Sequence, residues 1–134
     1  MGGDEAMIVA GVGFRRSADA SEIVMLVEQA LARAAVKDES LTQLATIEAL
    51  AFLSAFNEAA HRLAVTPVSV TEQALIAAAL RGSTNSARSM AAHGVGSVAE
   101  AAALAAGGPQ AELILERIAS ACVTCALARR EIHS

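Results

Sequence analysis

The sequence contains no tryptophan and no tyrosine, and three phenylalanines in all, so it lacks the aromatic platforms on which nucleic-acid bases stack. Positive charge is also scarce. Ten Lys and Arg stand against fourteen Asp and Glu, and the formal net charge of -4 leaves no basic footprint for a phosphate backbone. No apolar stretch approaches the length of a membrane span, and Asp4 and Glu5 stand where a secretory leader carries basic residues. A cytoplasmic protein with neither a nucleic-acid nor a membrane partner is expected. The two cysteines, Cys122 and Cys125, have C-x-x-C spacing, but the run from Cys122 to Leu127 reads as a strand. Positions three apart on a strand face opposite ways, which separates the thiols and makes them small buried hydrophobes. His61, His93 and His133 are far apart and show no ligand spacing, so neither a metal nor a cofactor is expected.

Apolar surface is what the sequence has in abundance. Of its 134 residues 54% are hydrophobic and 18% charged, which excludes disorder and suits helices packed on both faces of a sheet in one domain, residues 1–134. The chain is organised around Ala6-Met7-Ile8-Val9-Ala10-Gly11-Val12-Gly13-Phe14-Arg15-Arg16-Ser17. Met7 to Val12 reads as a strand covered on both faces, because it is a short unbroken apolar run closed by glycines that allow a tight turn. Asp19-Ala20-Ser21-Glu22 then opens a helix, with an N-cap type residue followed three positions on by Glu. Arg15 and Arg16 therefore stand at the carboxyl end of a strand beside a helix N-terminus, where an open α/β sheet binds its ligand. A dinucleotide fingerprint is excluded, since Arg16 occupies the place of its third glycine, and there is no Walker lysine motif. What remains is a generic site for carboxylates or phosphates built from Gly11, Gly13, Phe14, Arg15, Arg16 and Ser17. The alternative is a solvated strand-to-helix turn.

Further along, Ile23, Val24, Leu26, Val27, Ala30, Leu31 and Ala34 recur at helical spacing. Leu44 to Ile47 reads as a second strand, Ala49 to Leu63 as a second helix and Thr66-Pro67-Val68-Ser69-Val70 as a third strand, proline being tolerated at a strand's start. Thr71-Glu72 opens a helix to about Leu80. Another helix covers Val98 to Ala106 and is stopped by Gly107-Gly108-Pro109. The runs Glu112 to Leu115 and Cys122 to Ala128 are joined by a connection too short for a parallel crossover, so they form an antiparallel hairpin. The order predicts an α/β fold, a three-layer αβα sandwich with a mixed, mostly parallel sheet of about five strands that ends in this hairpin.

One segment, Arg81 to Ser89, is polar and basic in an otherwise apolar chain. Ser83, Thr84, Asn85 and Arg88 are candidate ligand contacts there, set against a reading as a solvated loop. Gly96 and Ser97 end a glycine-rich approach to the following helix. Ser97-Val98-Ala99-Glu100 fits a capping box, which accounts for Glu100 as a cap; the sharper alternative makes Glu100, with Ser97, a catalytic acid–base candidate beside the ligand.

Four stretches in order resemble a known family: Val12-Gly13-Phe14-Arg15-Arg16, Leu44-Ala45-Thr46-Ile47, Gly94-Val95-Gly96-Ser97-Val98-Ala99-Glu100-Ala101-Ala102-Ala103-Leu104 and Val123-Thr124-Cys125-Ala126-Leu127-Ala128. The chain resembles, over nearly its whole length, the cobalamin-biosynthesis family comprising CobE and the C-terminal domain of CbiG. The resemblance implies a three-layer αβα domain in vitamin B12 synthesis. Larger CbiG-type members carry extra N-terminal domains and open the lactone of cobalt-precorrin-5A with release of acetaldehyde; this chain looks like the stand-alone CobE type of the oxygen-dependent route. It departs from the family at two lysine positions, where it reads Glu48-Ala49-Leu50-Ala51 and Glu116-Arg117.

Three functions follow as expectations. The first is a carrier for a polycarboxylate precorrin or corrin intermediate, with Arg15, Arg16, Arg88 and the helix N-termini at Ser17 and Ser97 on its carboxylate rim. Phe14 lies either against the macrocycle or in the core. The second is a hydrolase acting on the corrin-ring lactone through Glu100 or Ser97. The third is a non-catalytic partner subunit of other cobalamin-pathway enzymes, docking through the small-residue helix Val98 to Ala106.

Overall fold

The computed structural model describes residues 5–36, 40–82 and 98–132. Five strands, β1 (Glu5–Phe14), β2 (Leu41–Ile47), β3 (Thr66–Val70), β4 (Glu112–Ala119) and β5 (Val123–Ile132), form one sheet in the order β3-β2-β1-β5-β4. β2 is parallel to both β1 and β3, whereas β5 runs antiparallel to both β1 and β4. Helices α1 (Ala20–Ala34) and α3 (Ser54–Leu63) cover one face, and α4 (Glu72–Gly82) and α5 (Val98–Gly107) the other. A single turn, α2 (Glu48–Ala51), leaves the end of β2. This is the expected three-layer sandwich with a mixed five-stranded sheet and a terminal hairpin. Among the described residues no helix is long and apolar enough to cross a membrane.

Alternation along β1 assigns its side chains to the two layers. Ile8, Ala10 and Val12 join Ile23, Val27 and Leu31 of α1 and Phe56 of α3, while Val9 meets Leu75 of α4 and Ala101 and Ala102 of α5. Burial on both sides is why this run is apolar without a period of two. At Gly11 the backbone of α5 reaches the backbone of β1: a Cβ there would stand 2.1 Å from the carbonyl oxygen of Ala99 and 2.5 Å from the nitrogen of Ala103. Gly11 is thus a close-packing glycine inside a strand that continues to Phe14, and the expected tight turn does not begin there. The same contact takes up the small face of α5. Ala99, Ala102 and Ala103 are fully buried within the fold, so that face is not available to dock on another protein.

The stretch expected as one helix from Ala49 to Leu63 is two. Phe52 and Leu53 leave the helix, and the Asn57 side-chain amide spans the break by donating to the carbonyls of Ala51 (2.9 Å) and Leu53 (3.1 Å), the latter also accepting the Phe56 and Asn57 N–H groups that start α3. The apolar spacing carries on across the break to Phe56 and Ala60, so periodicity alone does not reveal it. Helix α1 begins where expected, with the Asp19 carboxylate accepting from the Glu22 N–H at 2.9 Å. Thr71 caps α4 in the same way, its hydroxyl accepting from the Ala74 N–H at 3.1 Å.

Both cysteines are free thiols. Cys122 precedes β5 instead of lying within it, and it packs at the rim of the same core cluster that buries Cys125, so strand alternation does not separate them. Burial pushes the Cys125 thiol up to about 12.

Gly11→Ala is expected to lower the unfolding free energy by about 1–3 kcal/mol in a urea titration, because helix and strand must part to admit the methyl group. Gly13→Ala should cost less, since its nearest contact would be the Thr124 hydroxyl at 3.0 Å. An aromatic disulfide reagent at pH 8 should label Cys122 in the folded protein and Cys125 after denaturation. The Cys125 thiol stays protonated in the fold up to about 12 and ionises near 9.0 once exposed, so its contribution should make stability fall as pH rises between those values. Urea midpoints of Cys125→Ala and the parent protein across that range check the sign.

Candidate functional site

The ladder between β1 and β2 ends at Gly11 and Ala45, yet β1 runs on to Phe14 and β2 to Ile47. Past that last pair the hydroxyl of buried Thr46 donates to the carbonyl of Val12 at 2.7 Å, so a side chain supplies the donor where ladder pairing stops. On its other side β1 stays paired with β5 as far as Phe14 and Val123. The carboxyl ends of β1 and β2 therefore border a crevice, where the sheet passes from parallel to antiparallel neighbours. Open α/β sheets bind ligands at such a switch in topology.

A cavity of about 540 Å³ lies there, within the range of small-molecule sites. Gly13, Phe14 and Arg15 at the end of β1 line it, with Ile47 and Leu50 from β2 and α2, Val98 from α5, and Arg117 and the run Ser120 to Thr124 from the hairpin. Its lining is mainly apolar. Arg15 and Arg117 bring positive charge to it, and among the described residues no carboxylate lines it. The salt bridge among the described residues joins Arg62 to Glu58, so neither cavity arginine has an acidic partner there.

Two carboxylates hold the hairpin wall from outside the lining. Glu22 of α1 accepts from the Ser120 hydroxyl at 2.6 Å and from the Cys122 N–H at 2.9 Å, and Glu100 of α5 accepts from the Arg117 N–H at 3.1 Å. The Arg15 N–H donates to the carbonyl of Cys122 at 2.9 Å, and the Thr124 hydroxyl to that of Gly13 at 3.2 Å. The hairpin tip is thereby tied to both helical layers and to the end of β1. Charged acceptors make the stronger bonds in this set.

The structure sorts the residues expected at the site. Gly13, Phe14 and Arg15 line the cavity, and Phe14 also stacks on Phe56 with ring centroids 6.4 Å apart and planes 10° apart. Arg16 stands outside the lining, its guanidinium 5.7 Å from the centre of the Phe52 ring. Ser17 does not cap α1; its hydroxyl is 3.9 Å from the Cys122 sulfur, and Asp19 is the cap. The N-terminus of α1 already carries Asp19 and, in its first turn, Glu22, so the protein's own acids answer the dipole that was expected to favour an outside anion. Gly11 faces α5 and not the cavity. Glu100 is turned to the hairpin backbone. Ser83, Thr84, Asn85, Arg88, Gly96 and Ser97 lie outside the described residues.

Sequence reasoning missed the charged cavity residue Arg117, along with the lining residues Ile47, Leu50, Val98 and the run Ser120 to Thr124. The fourth strand was expected to stop at Leu115, but it continues to Ala119 through two irregularities in its pairing with β5. The available signal was the family resemblance, which marks the neighbourhood of Glu116 and Arg117 as a lysine position. Arginine keeps the positive charge there.

Comparison with known proteins agrees with this architecture. The family described as Cobalamin synthesis G C-terminus matches residues 8–128. A protein named CobE from Sinorhizobium sp is 38% identical over 123 residues, spanning 92% of this chain and 80% of that protein. The crystal structure of CobE, a protein from the cobalamin (vitamin B12) biosynthetic pathway, superposes with a TM-score of 0.78 at 28% identity, covering 96% of this chain and 94% of the other. That of cobalamin biosynthesis protein chiG from Agrobacterium tumefaciens superposes with a TM-score of 0.73 at 35% identity, covering 91% and 97%. With the family match running from the first strand into the last, the chain belongs to the Cobalamin synthesis G C-terminus family and is a cobalamin biosynthesis protein of the CobE/CbiG C-terminal type.

Proposed function

We propose that this protein binds a polycarboxylate precorrin or corrin intermediate in the cavity at the ends of β1 and β2, and acts in the cytoplasm as an accessory or carrier protein of the aerobic route. One observation carries the reading: a mainly apolar cavity of about 540 Å³ whose described residues present two arginines without acidic partners among them and no carboxylate in the lining. Corrin intermediates combine a flat apolar ring with a rim of acetate and propionate groups, and the site mirrors both properties. Phe14 and Leu50 offer apolar surface, while Arg15 and Arg117 reach the cavity from two separate elements, suited to two carboxylates of one ligand. Bracing the backbone that carries Arg15 and Arg117 lowers the ordering cost of binding.

A visible-absorption titration with a series of precorrin and corrin acids tests this. Arg15→Ala and Arg117→Ala should each weaken binding by about 1.5–3 kcal/mol, the usual worth of a hydrogen bond to a charged group. Unchanged affinity in both variants would put the ligand elsewhere. Glu22→Ala should weaken binding without removing a ligand contact, and the variant should also unfold at lower urea, because the Ser120–Cys122 turn loses its anchor. The competing hydrolase reading predicts conversion of the bound acid, abolished by Glu100→Ala and retained by Arg15→Ala.

A further inference from the structure

We infer that Arg16 and Phe52 form an outer shelf of the binding site, carrying the part of a tetrapyrrole acid that the cavity does not enclose. The inference rests on the proposed ligand class and adds residues to the site that do not line the cavity. Phe52 is 66% exposed, whereas the other two aromatic rings of the chain, Phe14 and Phe56, stack on each other at the core. It is held in that exposed position. The break between α2 and α3 puts Phe52 outside the helix, and the Asn57 amide bonds the carbonyls of Ala51 and Leu53 on either side of it.

Its place relative to the cavity follows from its neighbours. Leu50, two residues before Phe52, lines the cavity, and so does Arg15, one residue before Arg16. The contact of the Arg16 guanidinium with the Phe52 ring, 5.7 Å to its centre, therefore joins the β1–α1 connection to the α2–α3 turn beside the cavity. The pair repeats outside what Phe14 and Arg15 provide inside: one aromatic surface and one guanidinium. A tetrapyrrole macrocycle with its acidic side chains is larger than the drug-sized ligands that a cavity of about 540 Å³ encloses, so ring edge and rim carboxylates project past the opening. The exposed ring suits the first and the cation the second.

Uroporphyrin I, a flat macrocycle with eight carboxylates, is a suitable probe because its absorption reports binding directly. Phe52→Ala should bind it roughly tenfold more weakly than the parent protein, and Phe52→Trp should restore the affinity, the flat ring being what matters. Arg16→Ala should weaken binding several-fold and flatten its salt dependence. Met25→Ala, which removes another exposed apolar side chain on α1, should bind as the parent does. All four variants change exposed side chains, and their thermal midpoints should match the parent's. Equal affinity of Phe52→Ala and Met25→Ala would overturn the shelf and leave the cavity reading standing; an affinity loss in Phe52→Ala that Phe52→Trp fails to restore would also overturn it. Failure of the parent protein to bind the probe would overturn both.

Discussion

The backbone contact of α5 with β1 at Gly11 is the constraint on which the site depends. A strand covered on both faces can take a helix this close only where it has no side chain, and the Ala99 carbonyl and Ala103 nitrogen stand inside the space a Cβ would fill. From that seat α5 delivers Val98 to the cavity wall and Glu100 to the Arg117 N–H. Lifting the helix by the width of a methyl group would move both. The apolar floor and the hairpin wall are in this sense consequences of one missing side chain in the central strand.

Much of this was legible because it is local. The unbroken apolar run of β1, the Asp19-x-x-Glu22 start of α1 and the short link between the last two strands each follow from spacing within a few residues. What failed to show was long-range. Glu22 looked like half of a capping box, but its carboxylate is engaged about a hundred positions away with Ser120 and Cys122. Gly11 looked like a turn residue because a glycine read alone does not reveal that a helix backbone lies above it. The Phe52–Leu53 break is bought by one amide, that of Asn57, with neither proline nor glycine to announce it. The sequence put the loop arginines Arg15 and Arg16 forward together and could not divide them, because their neighbours differ only after folding.

The electrostatics run opposite to the composition. The chain is acidic overall, but Glu22 and Glu100 are turned to backbone N–H groups of the hairpin, and the cap of α1 is an aspartate. A free helix dipole therefore does not provide the attraction for an anion at α1. On the proposed reading that attraction falls to Arg15 and Arg117, side chains set in a mainly apolar lining, where a charge pair is screened less than in open water.

The same accounting bears on carrier against catalyst. Hydrolysis needs a base within hydrogen-bond reach of its substrate, and the described residues that line the cavity supply arginines, hydroxyls and a thiol, with no carboxylate or histidine. Glu22 and Glu100 are the nearest acids that the hydrogen-bond pattern connects to the site, and each is an acceptor that keeps the hairpin tip in place. Both hold the wall through Oε2 and neither lines the cavity, so as the structure stands neither borders a bound substrate. A binding site uses those carboxylates as they stand, as braces of the wall, and asks no base of the cavity lining, and on that ground the proposed binding reading is the stronger of the two.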